Sequence, residues 1–176
     1  LAVIFLVLPT ILAENFSSVI VRHEHLQMWG VTVLDVYEEA KKNSPKLLPY
    51  VLRPMKSVLM ELLQSSEFDR GGKADAFADL EDPGLYILSN KCGIFGATTI
   101  MYEGVLEEIS EQLGFSFIIL PSSIHEVILT EYKPEMIRES LVEIVMQVNA
   151  SEVLPEEVLS DNVYCYNRNT RELTIL

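Results

Sequence analysis

Between residues 85 and 176, short β-branched and aromatic runs come in pairs, and a stretch with helical periodicity separates each pair from the next. Leu85–Ser89 and Ile94–Met101 flank the turn residues Asn90, Lys91, Cys92 and Gly93. Phe115–Leu120 and Glu126–Tyr132 flank Pro121, Ser122 and Ser123, and Val163–Tyr166 and Glu172–Ile175 flank Asn167, Arg168, Asn169 and Thr170. Strands joined by turns this short must run antiparallel. The first intervening helix is expected over Gly104–Leu113, with Val105, Leu106, Ile109 and Leu113 inward and Gly114 as a left-handed stop. The second is expected from Pro134 to about Val148, with Met136, Ile137, Leu141, Ile144, Val145 and Val148 on one stripe. Helices inserted between hairpins cover one face or end of the sheet. The reading is therefore an α+β fold, an antiparallel sheet built from hairpins with helices packed mainly on one face.

The first part of the chain is less regular. Leu1–Ala13, LAVIFLVLPTILA, has the apolar character of a signal-peptide centre, but no basic residue precedes it. It is also too short to span a bilayer and holds Pro9. A buried strand over Ala2–Leu8 is the preferred reading, and the absence of an initial Met points to a chain that begins inside a longer protein. Ser17–Arg22 reads as a second strand, and a helix over Glu24–Trp29 is stopped by Gly30. Thr32 and Asp35 form a capping box for a helix carrying Val33, Leu34, Tyr37 and Ala40, which should end near Asn43 because Pro45 restricts the residue before it. Pro54 is expected to open a helix through Gln64 with Met55, Val58, Leu59, Leu62 and Leu63 on one face. Residues 65–84, SSEFDRGGKADAFADLEDPG, are rich in Gly and charge and form the best linker in the chain. At 176 residues a single α+β domain over 1–176 is the working division, with this loop as the place where a part over 1–64 would separate from one over 85–176.

Charge limits the partners. The chain carries 13 Lys and Arg against 26 Asp and Glu, for a net charge of −13, and residues 101–176 alone hold 4 basic and 14 acidic side chains. A nucleic-acid binder gains affinity by neutralising phosphates with cations, and an anionic membrane surface asks for the same. No basic stripe is present, so neither nucleic acid nor membrane is an expected partner. Cys92 and Cys165 stand 73 positions apart and can form neither a disulfide framework nor a metal knuckle, which fits a soluble, cytoplasmic protein.

Several short constellations touch on chemistry. His23 and His25 are two apart rather than four and have no third ligand in view, so no metal is expected there. Gly93-Ile94-Phe95-Gly96 has the two-Gly spacing of an RNA-clamping loop but lies between strands without basic neighbours. Gly71-Gly72-Lys73 lacks the remaining parts of a phosphate loop. The segment Leu120-Pro121-Ser122-Ser123-Ile124-His125-Glu126 offers most. On an extended backbone Ser123 and His125 project to the same side, and a hydroxyl beside an imidazole is the minimum for an activated nucleophile. Ser123, His125 and Glu126 are thus the candidate catalytic residues. The competing reading is a turn in which serine hydroxyls bond backbone groups. In Val163-Tyr164-Cys165-Tyr166 the alternation puts Val163 and Cys165 on one face and the two tyrosines on the other. Ser122, Tyr164 and Tyr166 are candidate binding residues, with tyrosines covered by a helix as the plainer alternative.

The segments LQMWGVT and KKNSPKLLP, then LYILSN with FGA, YEGVL, LPSSIHEVIL and LSDNVYCY, in this order, resemble an uncharacterised family of bacterial proteins from gut anaerobes, domain-of-unknown-function family 5688. The resemblance runs from about Leu26 to Tyr166; Ser44 stands where the family has Thr. It implies a protein that extends upstream of Leu1, and it brings no activity, no cofactor and no catalytic residue. LPSSIHEV belongs to its pattern, as either a site or a structural turn would.

No catalytic constellation is complete and no cofactor is implied. The expectation is a non-catalytic soluble domain that binds a protein or a small ligand, through an uncovered sheet face or the acidic second half. A hydrolase using Ser123 with His125 is the alternative.

Overall fold

The computed structural model describes residues 3–12, 15–65, 84–121 and 123–176. The chain divides into two compact units, Leu1–Pro49 and Tyr50–Leu176. The division falls ahead of the 65–84 segment because residues 50–54 form a strand that pairs with Leu85–Asn90 and so belong to the second unit. Most of that segment, 66–83, lies outside the described residues.

The second unit is built on a six-stranded antiparallel sheet. Its strands are β3 (Tyr50–Pro54), β4 (Leu85–Asn90), β5 (Phe117–Leu120), β6 (Val127–Glu131), β7 (Tyr164–Asn167) and β8 (Glu172–Ile175), in the spatial order β3-β4-β6-β5-β7-β8. The hairpins β5–β6 and β7–β8 form as their turn residues require. The hairpin expected from Leu85 to Met101 does not form. β4 is paired with β3 on one side and β6 on the other, so no edge is left for residues 94–101. Those residues instead turn into a 3-10 helix, Gly96–Met101. β3 itself was hidden in the sequence by its shortness and its flanking prolines, Pro49 and Pro54. Pro54 ends this edge strand, where a missing N–H costs no ladder bond, rather than opening the helix Met55–Ser65 that succeeds it.

The larger share of the core lies on one sheet face. Phe117 and Ile119 from β5, Tyr166 from β7, Leu88 from β4 and Leu129 from β6 pack against Val105, Leu106 and Ile109 of the helix Val105–Leu113. Those helix residues are the stripe that periodicity indicates, and Gly114 caps the helix in the left-handed region at φ 85°. Strand alternation sends Ile118 and Cys165 to the opposite face, where they meet Val163 and the helix Arg138–Ser151. That helix begins four residues later than Pro134, which lies in a turn. Of the expected stripe, Met136, Leu141 and Val145 pack beside Ile118 and Cys165, joined by Val142, while Ile137, Ile144 and Val148 are exposed.

The first unit contains a two-stranded hairpin, β1 (Leu6–Leu12) and β2 (Asn15–Ile20), and then α1 (His23–Trp29) and α2 (Val33–Leu47). The pairing slips by one residue between Val7 and Thr10, a bulge at Pro9, which has no N–H for the ladder. The strand starts later than Ala2, and its described part is not buried: Val3, Ile4 and Val7 are exposed. Gly30 closes α1 in the left-handed region, and the capping box at Thr32 opens α2. α2 runs past Asn43 to Leu47 with Pro45 inside, because a proline this near the C-terminal end removes a single helix bond and Leu48 N–H still reaches Ser44 C=O at 2.8 Å. Val33 and Leu34, which share the helical spacing of Tyr37 and Ala40, are exposed, Leu34 at 73%.

Candidate functional site

The turn between β5 and β6 gathers the residues singled out for catalysis. Ser123 is 6% exposed. Its Oγ donates to Glu126 Oε1 at 2.9 Å and accepts the backbone N–H groups of His125 at 3.0 Å and Glu126 at 3.4 Å. His125 has both ring nitrogens engaged elsewhere. Nδ1 accepts the Phe95 N–H at 3.2 Å, and Nε2 lies 3.2 Å from Glu157 Oε1. With Nδ1 accepting, Nε2 is the ring nitrogen left to donate, and it faces the Glu157 carboxylate. The imidazole also stacks on the Phe95 ring, with centroids 5.9 Å apart. Ser123 and Glu126 are brought together, whereas the imidazole is directed toward Phe95 and Glu157 rather than at the serine hydroxyl.

The same turn is fastened through its backbone. Ala97 N–H donates to Ile124 C=O at 3.2 Å, Ile124 N–H to Glu157 C=O at 2.9 Å, and Ser89 Oγ to His125 C=O at 2.7 Å. A Cβ on Gly96 would sit 2.1 Å from Ser89 Oγ and 2.3 Å from His125 O, so only glycine admits this approach. Phe95, just before it, holds φ 54°, a left-handed backbone rare for a bulky side chain and sustained here by its N–H bond and ring contact with His125. The LPSSIHEV segment therefore acts as a fastener linking β4, the 3-10 helix and the 154–157 turn. Ser122 lies outside the described residues.

The other candidates are also held within the fold. Tyr166 is buried with its ring stacked on Phe117 at 5.3 Å, and burial, with the charge of Glu107 second, pushes its hydroxyl pKa up. Tyr164 is half-buried and its hydroxyl lies 3.2 Å from Ser160 Oγ. Burial also pushes the Cys165 thiol up, while Cys92 is exposed at the end of β4. His25 caps α1: its Nδ1 accepts the Arg22 N–H at 3.1 Å, and its ring stacks on Trp29 at 5.5 Å.

The first unit holds a groove of about 500 Å³ between the hairpin and α2. One wall is apolar, made by Phe5, Leu6, Val7 and Leu8 along β1 with Val21 and Val31 beyond β2. The other wall is a face of α2 with residues three to four apart: Asp35 and Val36, then Glu39 and Ala40, then Asn43 and Ser44, then Leu47. A helix packed into a core carries large aliphatic side chains at such positions. Here two of these positions, Ala40 and Ser44, one turn apart, are small, and both line the open space. Trp29, the only tryptophan in the chain, closes one end and is 46% exposed.

A family model, Family of unknown function (DUF5688), matches residues 1–168. The chain belongs to that family. Searches of curated proteins and of solved structures return no match. For this DUF5688 chain the family brings no activity, so the reading of the groove rests on its residues. Among the described residues no helix is long and apolar enough to cross a membrane. The groove was not foreseen from sequence; its signal was the stripe Val36, Ala40 and Ser44, in which two of three core-like positions on α2 are small.

Proposed function

We propose that this protein is a binding protein without catalytic activity, and that the groove of its first unit takes an apolar segment of a partner protein. The observation that carries this reading is the groove itself: about 500 Å³ walled by aliphatic side chains on β1 and by small residues on α2. That volume lies in the range of sites that receive several side chains or a compact ligand. A partner chain suits it better than a small molecule because apolar surface continues beyond the groove: Val7, Trp29 and Leu47 at its walls are exposed, and so are Val19 and Ile20 on β2. Such a continuous patch is larger than a small ligand covers, and soluble proteins leave patches of this kind where partners dock.

The test uses Trp29 as the reporter. Titration with a neutral, tryptophan-free peptide of alternating Leu and Ser should shift Trp29 emission to the blue and protect it from acrylamide. The double variant Ala40→Leu, Ser44→Leu fills the groove and should abolish the response while leaving the far-ultraviolet circular dichroism unchanged. Binding that survives the filled groove would overturn the assignment.

A further inference from the structure

The ionisable residues lining the groove carry one sign of charge. Asp35 and Glu39 stand one turn apart on α2, and no lysine, arginine or histidine is among the lining residues described. We infer that the segment taken by the groove is a cationic amphipathic peptide, its apolar side chains against Leu6, Val21 and Val36 and its Lys or Arg side chains on the Asp35–Glu39 rim. This rests on the reading of the groove as a binding site.

Both acids are set up to receive a cation, in different ways. Thr32 donates its backbone N–H at 2.8 Å and its hydroxyl at 2.7 Å to Asp35 Oδ2, which fixes the carboxylate in place at the start of α2. These bonds, the backbone one first, also hold the Asp35 carboxyl below its ordinary range, so it is ionised at neutral pH. Glu39 accepts from Lys42 Nζ at 2.9 Å, an i,i+3 pair in which both side chains are exposed. A pair of this kind contributes little, so Glu39 can exchange Lys42 for a ligand cation at small cost. An anionic segment would meet the opposite balance, with two carboxylates and no cation among the described lining residues.

Three peptides with one apolar pattern, carrying Lys, Ser or Glu at the alternate positions, are titrated against Trp29 at about 50 mM and about 500 mM salt, on either side of the range where screening sets in. The Lys peptide should bind about three- to tenfold tighter than the Glu peptide at low salt, with the Ser peptide between them, and the gap should narrow at high salt. Glu39→Gln should shrink the gap and Glu39→Lys should close it, whereas Glu143→Gln, at an exposed acid of the second unit, should leave the gap as it is; an equal change in both variants would assign the gap to the general field of an acidic chain and overturn the rim. Equal affinities for all three peptides, each lost in the filled-groove variant, would overturn the charge inference and leave the groove reading standing. Response to a neutral dye such as Nile red but to no peptide would show a small-molecule site and overturn the peptide assignment. Response to neither would overturn both.

Discussion

The two units use similar side chains in opposite ways. In the second, fully or nearly fully buried residues line both faces of a six-stranded sheet, and helices Val105–Leu113 and Arg138–Ser151 each contribute to one face. In the first, Leu48 is the one buried hydrophobic among the described residues, and neither α1 nor α2 buries a residue. A two-stranded hairpin is marginal alone and gains stability by covering an apolar face. The second unit encloses a core between its sheet and helices, and the first leaves apolar side chains open along a groove. Hydrophobic composition does not separate these cases. What separates them is whether the helix facing the sheet carries Leu and Ile, as around Ile109, or Ala and Ser, as along α2.

The sharpest way to break the comparison is at the fastener of the second unit. Gly96→Ala sets a methyl 2.1 Å from Ser89 Oγ, 2.3 Å from His125 O and 2.8 Å from Asn90 N, and two of those three atoms are backbone. The turn must move away from β4, undoing the bonds through Ile124 and His125. A loss of at least about 3 kcal/mol is expected, in the range of overpacked, strained sites. Urea unfolding read by circular dichroism should show it, while Trp29 emission, which reports on the first unit, changes little at the same urea concentration.

A paired substitution compares the units directly. Ile109→Ala removes a fully buried side chain from the helix that covers the main sheet face and should cost about 3 kcal/mol. Leu34→Ala removes a side chain that is 73% exposed on α2 and should change stability by less than about 0.5 kcal/mol. If both substitutions cost about the same, the contrast between a self-covered and an uncovered unit is wrong.

Much of this contrast was legible in sequence, and the limits have physical causes. The stripe Val105, Leu106 and Ile109, the Gly114 stop, the β5–β6 and β7–β8 hairpins and the Thr32–Asp35 box depend on local spacing and turn chemistry, and they form as read. Residues 94–101 looked like a strand because Ile94, Phe95, Thr98, Thr99 and Ile100 are β-branched or aromatic, types that favour strands. Only the pairing of β4 on both edges, a long-range fact, denies them a partner. Serine and histidine two apart signalled a nucleophile, yet the turn directs their polar atoms to backbone groups and to Glu126 and Glu157, which spacing alone does not encode. The groove was illegible for a related reason: a missing side chain leaves no positive signal, and Ala40 fits a helical stripe whether or not the stripe is covered.

Ser123→Ala probes the fastener more gently. It removes the acceptor of two backbone N–H groups and the donor to Glu126 in a buried setting, and should cost about 1–2 kcal/mol in the second unit. Ser123→Thr keeps the hydroxyl and should recover part of that stability. A variant as stable as the parent would mean that these bonds contribute nothing net and that the turn is held by Ser89 and Gly96 alone.

A smaller effect than that of Ser123→Ala ties local structure to the groove. Thr32 accepts the Asp35 N–H through its hydroxyl at 3.2 Å and donates to the Asp35 carboxylate, and these bonds begin α2. Thr32→Ala should cost about 1 kcal/mol, confined to the first unit. In the second unit a loss of that size would be spread over a sheet and two helices. In the first it falls on the helix turn that carries Asp35 and Val36, which line the groove one turn before Glu39 and Ala40. Loosening this turn should therefore lower peptide affinity as well as stability, and hydrogen exchange should quicken at residues 33–36 before the rest of α2. Replacement by Ser restores the cap oxygen and should return both quantities together. If stability recovers and affinity does not, the methyl of Thr32 rather than the ordered helix start supports the groove, and the link between capping and binding is broken.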